Sequence, residues 1–153
     1  MTRPSWGSIK LLFLWQTPTA LLLLLTRVAL ILVPFRFIIR HSGAQQCKEA
    51  VLLLPSQQEQ LDKARHTRKV IAIARRSLPL EINCFPQALT ALFLLRLRQV
   101  PYSLFFGVRR ESGDFQAHAW VSCGHITVCG DNGLSEFKII STYTYDPTLP
   151  LDP

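Results

Sequence analysis

Cys84 is the residue of this sequence best suited to act as a nucleophile. Asn83, a good helix N-cap residue, precedes it, and Phe85 and Pro86 follow in what we predict to be the first helical turn. The helix is then apolar and ends near Arg98. The positive end of a helix dipole favours the thiolate, which is the reactive form of cysteine. This pattern alone is weak, since a lone cysteine in an apolar helix is more often a small core residue.

A hairpin downstream supplies the groups that a nucleophilic cysteine needs. The segments 117–123 and 126–129 have the β-branched and aromatic content of strands, and Gly124-His125 between them suits a two-residue type II′ turn. Directly opposed residues share a face of the sheet, with Cβ atoms ~5 Å apart. The pairs that this turn predicts are Cys123 with Ile126, Ser122 with Thr127, Trp120 with Cys129, and His118 with Asp131.

A histidine beside a carboxylate is the arrangement of a general base held by an orienting acid. We therefore expect Cys84, His118 and Asp131 to form a catalytic triad. If Cys123-Gly124 formed the turn instead, His118 would face Cys129. A metal site from His118, Asp131 and Cys129 is a weaker alternative, because a zinc site needs further ligands or a base. Trp120 is expected on the His118 face, as a wall of the site or as a core aromatic.

The length, composition and net charge limit the class of protein. The 153 residues suffice for one domain, and 48% apolar with 18% charged residues exclude a disordered chain. The formal charge of +7 favours acidic partners without choosing among peptide, protein, lipid and nucleic acid. The four cysteines form no CxxC pair, which argues against a zinc knuckle and favours a reducing compartment.

The elements that must position the triad fall into three parts. Residues 1–45 form an apolar segment that Arg27 interrupts and that Pro18 and Pro34 should bend or end. Three interpretations are open: a signal peptide, a membrane-contacting segment, and a pair of short helices packed on the domain, which we favour. A capping-box pattern, Ser56-x-x-Glu59, then predicts a basic helix to about Arg76. Helices followed by an antiparallel sheet indicate an α+β fold.

Taken together, these motifs resemble one protein family. The motifs are CFPQALTALFLLR from Cys84, FFGVRR from Phe105, AHAWV from Ala117, and Gly130-Asp131. They resemble the transglutaminase-like leader peptidase of lasso-peptide biosynthesis, in its stand-alone form, over about Arg75 to Asp131. The resemblance implies a transglutaminase-like or papain-like cysteine protease fold over residues 46–153. It also implies that Cys84 is the nucleophile, His118 the general base and Asp131 its orienting acid.

The resemblance further implies a substrate and partners. The substrate would be a lasso precursor peptide, cut between leader and core, and no cofactor is expected. A separate winged-helix protein would bind the leader, because this chain has no room for that domain, and a lactam synthetase would close the ring. We expect a cytoplasmic protein, with membrane contact by residues 1–45 as an alternative. Competing hypotheses are acyl transfer to an amine by the same triad, a non-catalytic membrane-associated module, and a nucleic-acid binder suggested by charge alone.

Overall fold

The computed structural model describes residues 6–32, 37, 45–47, 58–79, 81–111 and 113–148. The described elements are α1 (Trp6–Leu32), β1 (Gln45–Cys47), α2 (Gln58–Ser77), α3 (Cys84–Leu97), β2 (Tyr102–Glu111), β3 (Asp114–Cys123), β4 (Ile126–Cys129), a 3-10 turn (Leu134–Glu136) and β5 (Lys138–Tyr145). The fold is α+β, as predicted, with helices packed on an antiparallel sheet in which these five strands have the order β1-β5-β2-β3-β4.

Helix α3 forms the centre of the hydrophobic core. It is apolar on almost every side because it packs against α1, α2 and the sheet together. Leu95 is fully buried among the apolar side chains that β2 and β3 direct toward the helix, including Leu104 and Val121. Phe93 and Leu97 lie on the side of α3 that remains exposed. The core therefore fixes α3, and with it the position of Cys84.

Helix α2 runs from Gln58 to Ser77, close to the predicted basic helix, while the predicted cap residue Ser56 lies outside the described residues. Its buried face consists of Ala64, Thr67, Val70, Ile71 and Ala74, and its opposite face is basic. Arg98, at the end of α3, donates from Nη1 to Thr67 Oγ1 at 3.0 Å. This partly buried contact joins α2 to α3, and burial lowers the pKa of Arg98.

The predicted division of this segment at Pro18 is wrong, because α1 continues through Pro18 as one helix of 27 residues. Pro34 lies outside the described residues, and α1 packs on the rest of the domain as expected. Proline removes one backbone hydrogen bond, but contacts with α2 and α3 support the helix around it. Leu23 is fully buried, and Arg27 Nη1 donates to Glu81 O at 2.7 Å, just before α3. In the part of the chain that the structure describes, no helix combines the length and apolarity needed to cross a bilayer.

The packing of α3 predicts different costs for two leucines two residues apart. Leu95→Ala should lower the free energy of unfolding by about 2–5 kcal/mol, because it leaves a cavity in a fully buried site. Leu97→Ala, at a position that is 62% exposed, should change it by less than about 1 kcal/mol. Urea unfolding followed by circular dichroism measures both. Equal costs would contradict the central position of α3.

Candidate active site

An open cleft of about 420 Å³ lies at the start of α3. The residues that line it are Arg75, Ile82, Asn83, Cys84, Phe85, Gln87, Ala117, His118, Gly130, Asp131 and Asn132. They come from α2, from the entry to α3, from β3 and from the loop after β4. The cleft therefore brings together residues that are far apart in sequence, including Cys84, His118 and Asp131.

Cys84 is half-buried and is the first residue of α3. Asn83 occupies the N-cap position in an extended conformation, but its side chain makes no capping hydrogen bond. Gln87 holds the chain at this point instead, since its buried side chain donates from Nε2 to Ile82 O at 2.6 Å. The thiol thus lies at the positive end of a helix whose first-turn N–H groups are not capped by Asn83.

His118 lies on β3 and is held by a backbone carbonyl. Its Nε2 is 2.9 Å from Gly130 O. Because a carbonyl oxygen only accepts, Nε2 is the nitrogen that carries hydrogen, and in the neutral ring Nδ1 is left as the basic nitrogen. Cys84 and His118 line the same cleft but are not hydrogen-bonded to each other. The structure thus brings the helix-start thiol and an oriented imidazole to the same cleft.

Aromatic rings fix the orientation of the imidazole. The His118 ring stacks with Phe137 at 4.9 Å between centroids and with Trp120 at 6.0 Å. Gly107 is paired with His118 across β2 and β3. A Cβ atom at Gly107 would lie 2.8 Å from Phe137 Cβ and 2.9 Å from Trp120 Cζ3. Glycine is therefore required here so that both rings can pack around the histidine.

The predicted hairpin register is correct near the turn and wrong beyond it. Gly124 alone of the two turn residues has positive φ, as a type II′ turn requires, and Cys123–Ile126 and Ser122–Thr127 pair as predicted. A β-bulge follows, so that Val121 rather than Trp120 pairs with Cys129. The extra residue is Val128, whose buried side chain belongs to the core. The bulge ends the predicted direct pairing of His118 with Asp131.

Asp131 lines the cleft, but its carboxylate has a different partner. Arg68 of α2 donates from Nη2 to Asp131 Oδ2 at 2.9 Å, in an ion pair with both side chains about half exposed. The preceding residue, Gly130, supplies the carbonyl that holds His118. Gly130 has φ of 76°, and a Cβ there would lie 2.5 Å from Ala119 O. Backbone geometry rather than the carboxylate thus orients the histidine in this structure.

The alternative metal site is not assembled. His118 donates to a carbonyl, Asp131 accepts from Arg68, and the Cys129 thiol is buried in the core. Among the described residues no group of three or more His, Cys, Asp and Glu side chains is arranged to hold a metal ion.

Sequence reasoning missed four residues that shape this site, namely Arg68, Gln87, Gly107 and Phe137. Arg68, Gly107 and Phe137 act through contacts between separate elements, and Gln87 acts through a bond to the residue two positions before α3, so no regular helix or strand pattern marks these contacts. Gly107 alone carried a signal, because a glycine among the β-prone residues of FFGVRR indicates a close approach by other groups.

The other cysteines differ from Cys84 in their chemistry. All four cysteines are free thiols. Burial raises the pKa of Cys123 to about 11 and that of Cys129 to about 12, which keeps both thiols protonated at neutral pH. Cys47 is half-buried, and its Sγ lies 3.1 Å from Thr144 Oγ1 in a hydrogen bond. The two core thiols are thus unsuited to nucleophilic attack.

These environments predict the order of alkylation. In the native protein at pH 8, iodoacetamide should modify Cys84 first and leave Cys123 and Cys129 unmodified, because burial and raised pKa values deprive them of reactive thiolate. Peptide mapping by mass spectrometry over time measures each site. After denaturation all four should react at similar rates. Native labelling of Cys129 as fast as that of Cys84 would contradict this assignment.

The close packing around Gly107 predicts the effect of adding one methyl group at this position. Gly107→Ala should lower stability by about 1–3 kcal/mol and displace the His118 ring, because Phe137 or Trp120 must move. Thermal unfolding and the histidine ring resonances in NMR spectra measure these effects. His125, at the hairpin tip, serves as the internal control, and its resonances should not move. Unchanged His118 resonances would show that the rings do not determine its orientation.

Residues 29–142 match the model of the family described as the transglutaminase-like superfamily. Neither the curated proteins nor the solved structures compared with the chain match it. The superfamily in general comprises cysteine peptidases and acyltransferases, which agrees with a cysteine and a histidine in one cleft. Since the match spans most of the sequence, the chain belongs to the transglutaminase-like superfamily.

Proposed function

We propose that this protein is a cysteine peptidase that removes the leader from a lasso precursor peptide. The observation that carries the proposal is the cleft, where the helix-start thiol of Cys84 and the oriented imidazole of His118 both lie. The superfamily match supports cysteine-type peptidase or acyltransferase chemistry. The finer substrate assignment depends on the motifs around Cys84 and His118 that resemble the leader peptidases.

The reaction follows from the groups present. When a peptide occupies the cleft, His118 Nδ1 takes the proton of the Cys84 thiol, and the thiolate attacks the carbonyl carbon at the leader–core junction. The N–H of Cys84 donates to the oxyanion that forms. The C–N bond then breaks, the imidazolium protonates the leaving amine, and the core peptide departs. The leader remains as a thioester on Cys84 until His118 deprotonates a water that hydrolyses it.

Asp131 is the third proposed member of the triad, with a less direct role than the sequence predicted. Its ion pair with Arg68 holds the loop whose Gly130 carbonyl accepts the hydrogen bond from His118 Nε2. Its negative charge at the cleft also favours the imidazolium during catalysis. Asp131 is therefore a positioning residue for His118 in this proposal.

The proposed partners follow from the substrate. A separate winged-helix protein would present the precursor by its leader, and a lactam synthetase would use the amine that the cleavage frees. Acyl transfer is the alternative, because the superfamily includes acyltransferases. Both reactions share the thioester on Cys84 and differ only in whether water or an amine attacks it. The mass of the leader product therefore distinguishes them.

Substitutions in the cleft test the proposal. With the precursor and leader-binding protein present, Cys84→Ala should abolish cleavage, and His118→Ala should slow it by about 10²–10⁴-fold through loss of the base. Asp131→Asn should slow it by roughly tenfold or less, since a backbone carbonyl still orients the histidine. The measurement is the rate at which the leader and core masses appear.

Cys47→Ala is the matched control, because this half-buried thiol lies outside the cleft. It should cleave at the wild-type rate. Cleavage by Cys84→Ala at that same rate would refute the proposed nucleophile. A leader product carrying an added amine instead of a free carboxylate would favour the acyltransferase.

A further inference from the structure

Helix α2 places a line of residues, most of them cationic, beside the cleft. Arg68, Ala72 and Arg75 follow one another at helical spacings of four and three, so they lie on the same side of α2. Arg75 lines the cleft that contains Cys84. Arg65 and Lys69 extend the same side toward the start of the helix. A charged helix face is usually only solvated, so a second feature is needed to indicate a ligand.

That second feature is a cavity of about 400 Å³ between α2 and the tip of the β3–β4 hairpin. Its lining consists of Arg65, Arg68, Lys69, Ala72, His125 and Ile126. The cavity therefore has an apolar base, formed by Ala72 and Ile126, and a basic rim. A concave apolar base with a few polar groups at the rim is the usual composition of a binding site.

One ion pair joins this cavity to the cleft. Arg68 lines the cavity, and its partner Asp131 lines the cleft. From Arg65 to Arg75 the helix rises about 15 Å, which an extended peptide covers with four or five residues. We call the surface formed by Arg65, Arg68, Lys69, Ala72 and Arg75 the α2 track. It leads from the cavity to the cleft that contains Cys84.

The α2 track has more positive charge than its neighbours neutralise. Arg65 pairs with Asp62 and Arg68 pairs with Asp131, both in exposed ion pairs that contribute little to stability. Lys69 and Arg75 are exposed and form no ion pair with a described residue. These two cations at either side of Ala72 are thus available to the carboxylates of a ligand.

We propose that the α2 track binds an acidic segment of the peptide substrate and directs the adjoining bond to Cys84. Carboxylates of the segment would pair with Lys69 and Arg75, and an apolar side chain would enter the cavity against Ala72 and Ile126. The proposal rests on the proposed function for the identity of the ligand as substrate. A single-stranded nucleic acid fits less well, because among the described residues no Phe, Tyr or Trp lines the cavity to stack on a base.

Binding by the full chain with Cys84→Ala tests the α2 track without catalysis. The probes are a fluorescein-labelled ten-residue peptide of alternating glutamate and leucine, the same peptide with glutamine for glutamate, and a labelled oligothymidine. Fluorescence anisotropy at low salt should show the glutamate peptide binding at least about tenfold tighter than the glutamine peptide. Raised salt should remove the difference, because the cations are exposed.

Charge reversal locates the site. Lys69→Glu with Arg75→Glu should weaken the glutamate peptide at least about tenfold. Arg76→Glu with Lys138→Glu changes the net charge equally at exposed positions that line neither cavity, and should weaken it far less. Equal weakening by both pairs, equal affinity for the two peptides, or tighter binding of oligothymidine through the same residues would each overturn the proposal.

The two proposals fail in different ways. If the glutamate peptide binds as expected but the wild type cleaves no precursor, the peptidase proposal is wrong and the α2 track remains a peptide-binding surface. If Lys69→Glu with Arg75→Glu cleaves the precursor with unchanged KM and kcat, the α2 track is refuted while the peptidase stands. The expected result is a raised KM with a smaller change in kcat, because the track binds remote from the cut bond.

Discussion

Burial of α3 on nearly all its sides is the constraint on which the rest of this structure depends. A helix enclosed by α1, α2 and a sheet can neither slide nor rotate without opening the core, because protein interiors are close-packed. The N-terminus of α3 is therefore a fixed point, and Cys84 occupies it. The chain before it is held as well, by Gln87 bonding to Ile82 O and by Arg27 bonding to Glu81 O. A rigid scaffold thus carries the one thiol that faces the cleft.

The position of His118 depends on irregular backbone geometry, whereas the position of Cys84 depends on the regular packing of a helix. The bulge at Val128 shifts the register between β3 and β4, and after the last pair, Val121 with Cys129, the chain reaches Gly130, whose carbonyl meets His118 Nε2. Gly107 and Gly130 are both positions where a Cβ would collide with neighbouring groups. The aromatic rings fill the space that Gly107 leaves. Gly107, Gly130 and the bulge at Val128 thus fix the position of His118, as packing of the core fixes the position of Cys84.

The sequence predicted the parts of this molecule that local rules decide. The start of α3 follows from Asn83 and Pro86, the hairpin turn from Gly124, and the two hairpin strands from their composition, so the structure has these elements where they are predicted, although β3 begins three residues earlier. The register failed at Val128 because a bulge depends on how that side chain packs beneath the sheet, which no local pattern encodes. The pairing of Asp131 with Arg68 joins residues 63 positions apart. Local spacing predicted that Asp131 would contact His118, whereas in the folded chain its carboxylate pairs with Arg68.

That ion pair links the cleft and the proposed α2 track in one contact. It stabilises the fold little, because both side chains are about half exposed. The ion pair is important because of its position. Asp131 follows Gly130, whose carbonyl orients His118, and Arg68 belongs to the proposed α2 track. In the proposal the carboxylates of the ligand pair with Lys69 and Arg75, so the ion pair between Arg68 and Asp131 stays in place. The proposed α2 track and the loop whose Gly130 carbonyl orients His118 therefore share one contact, with Arg68 on the track and Asp131 on the loop.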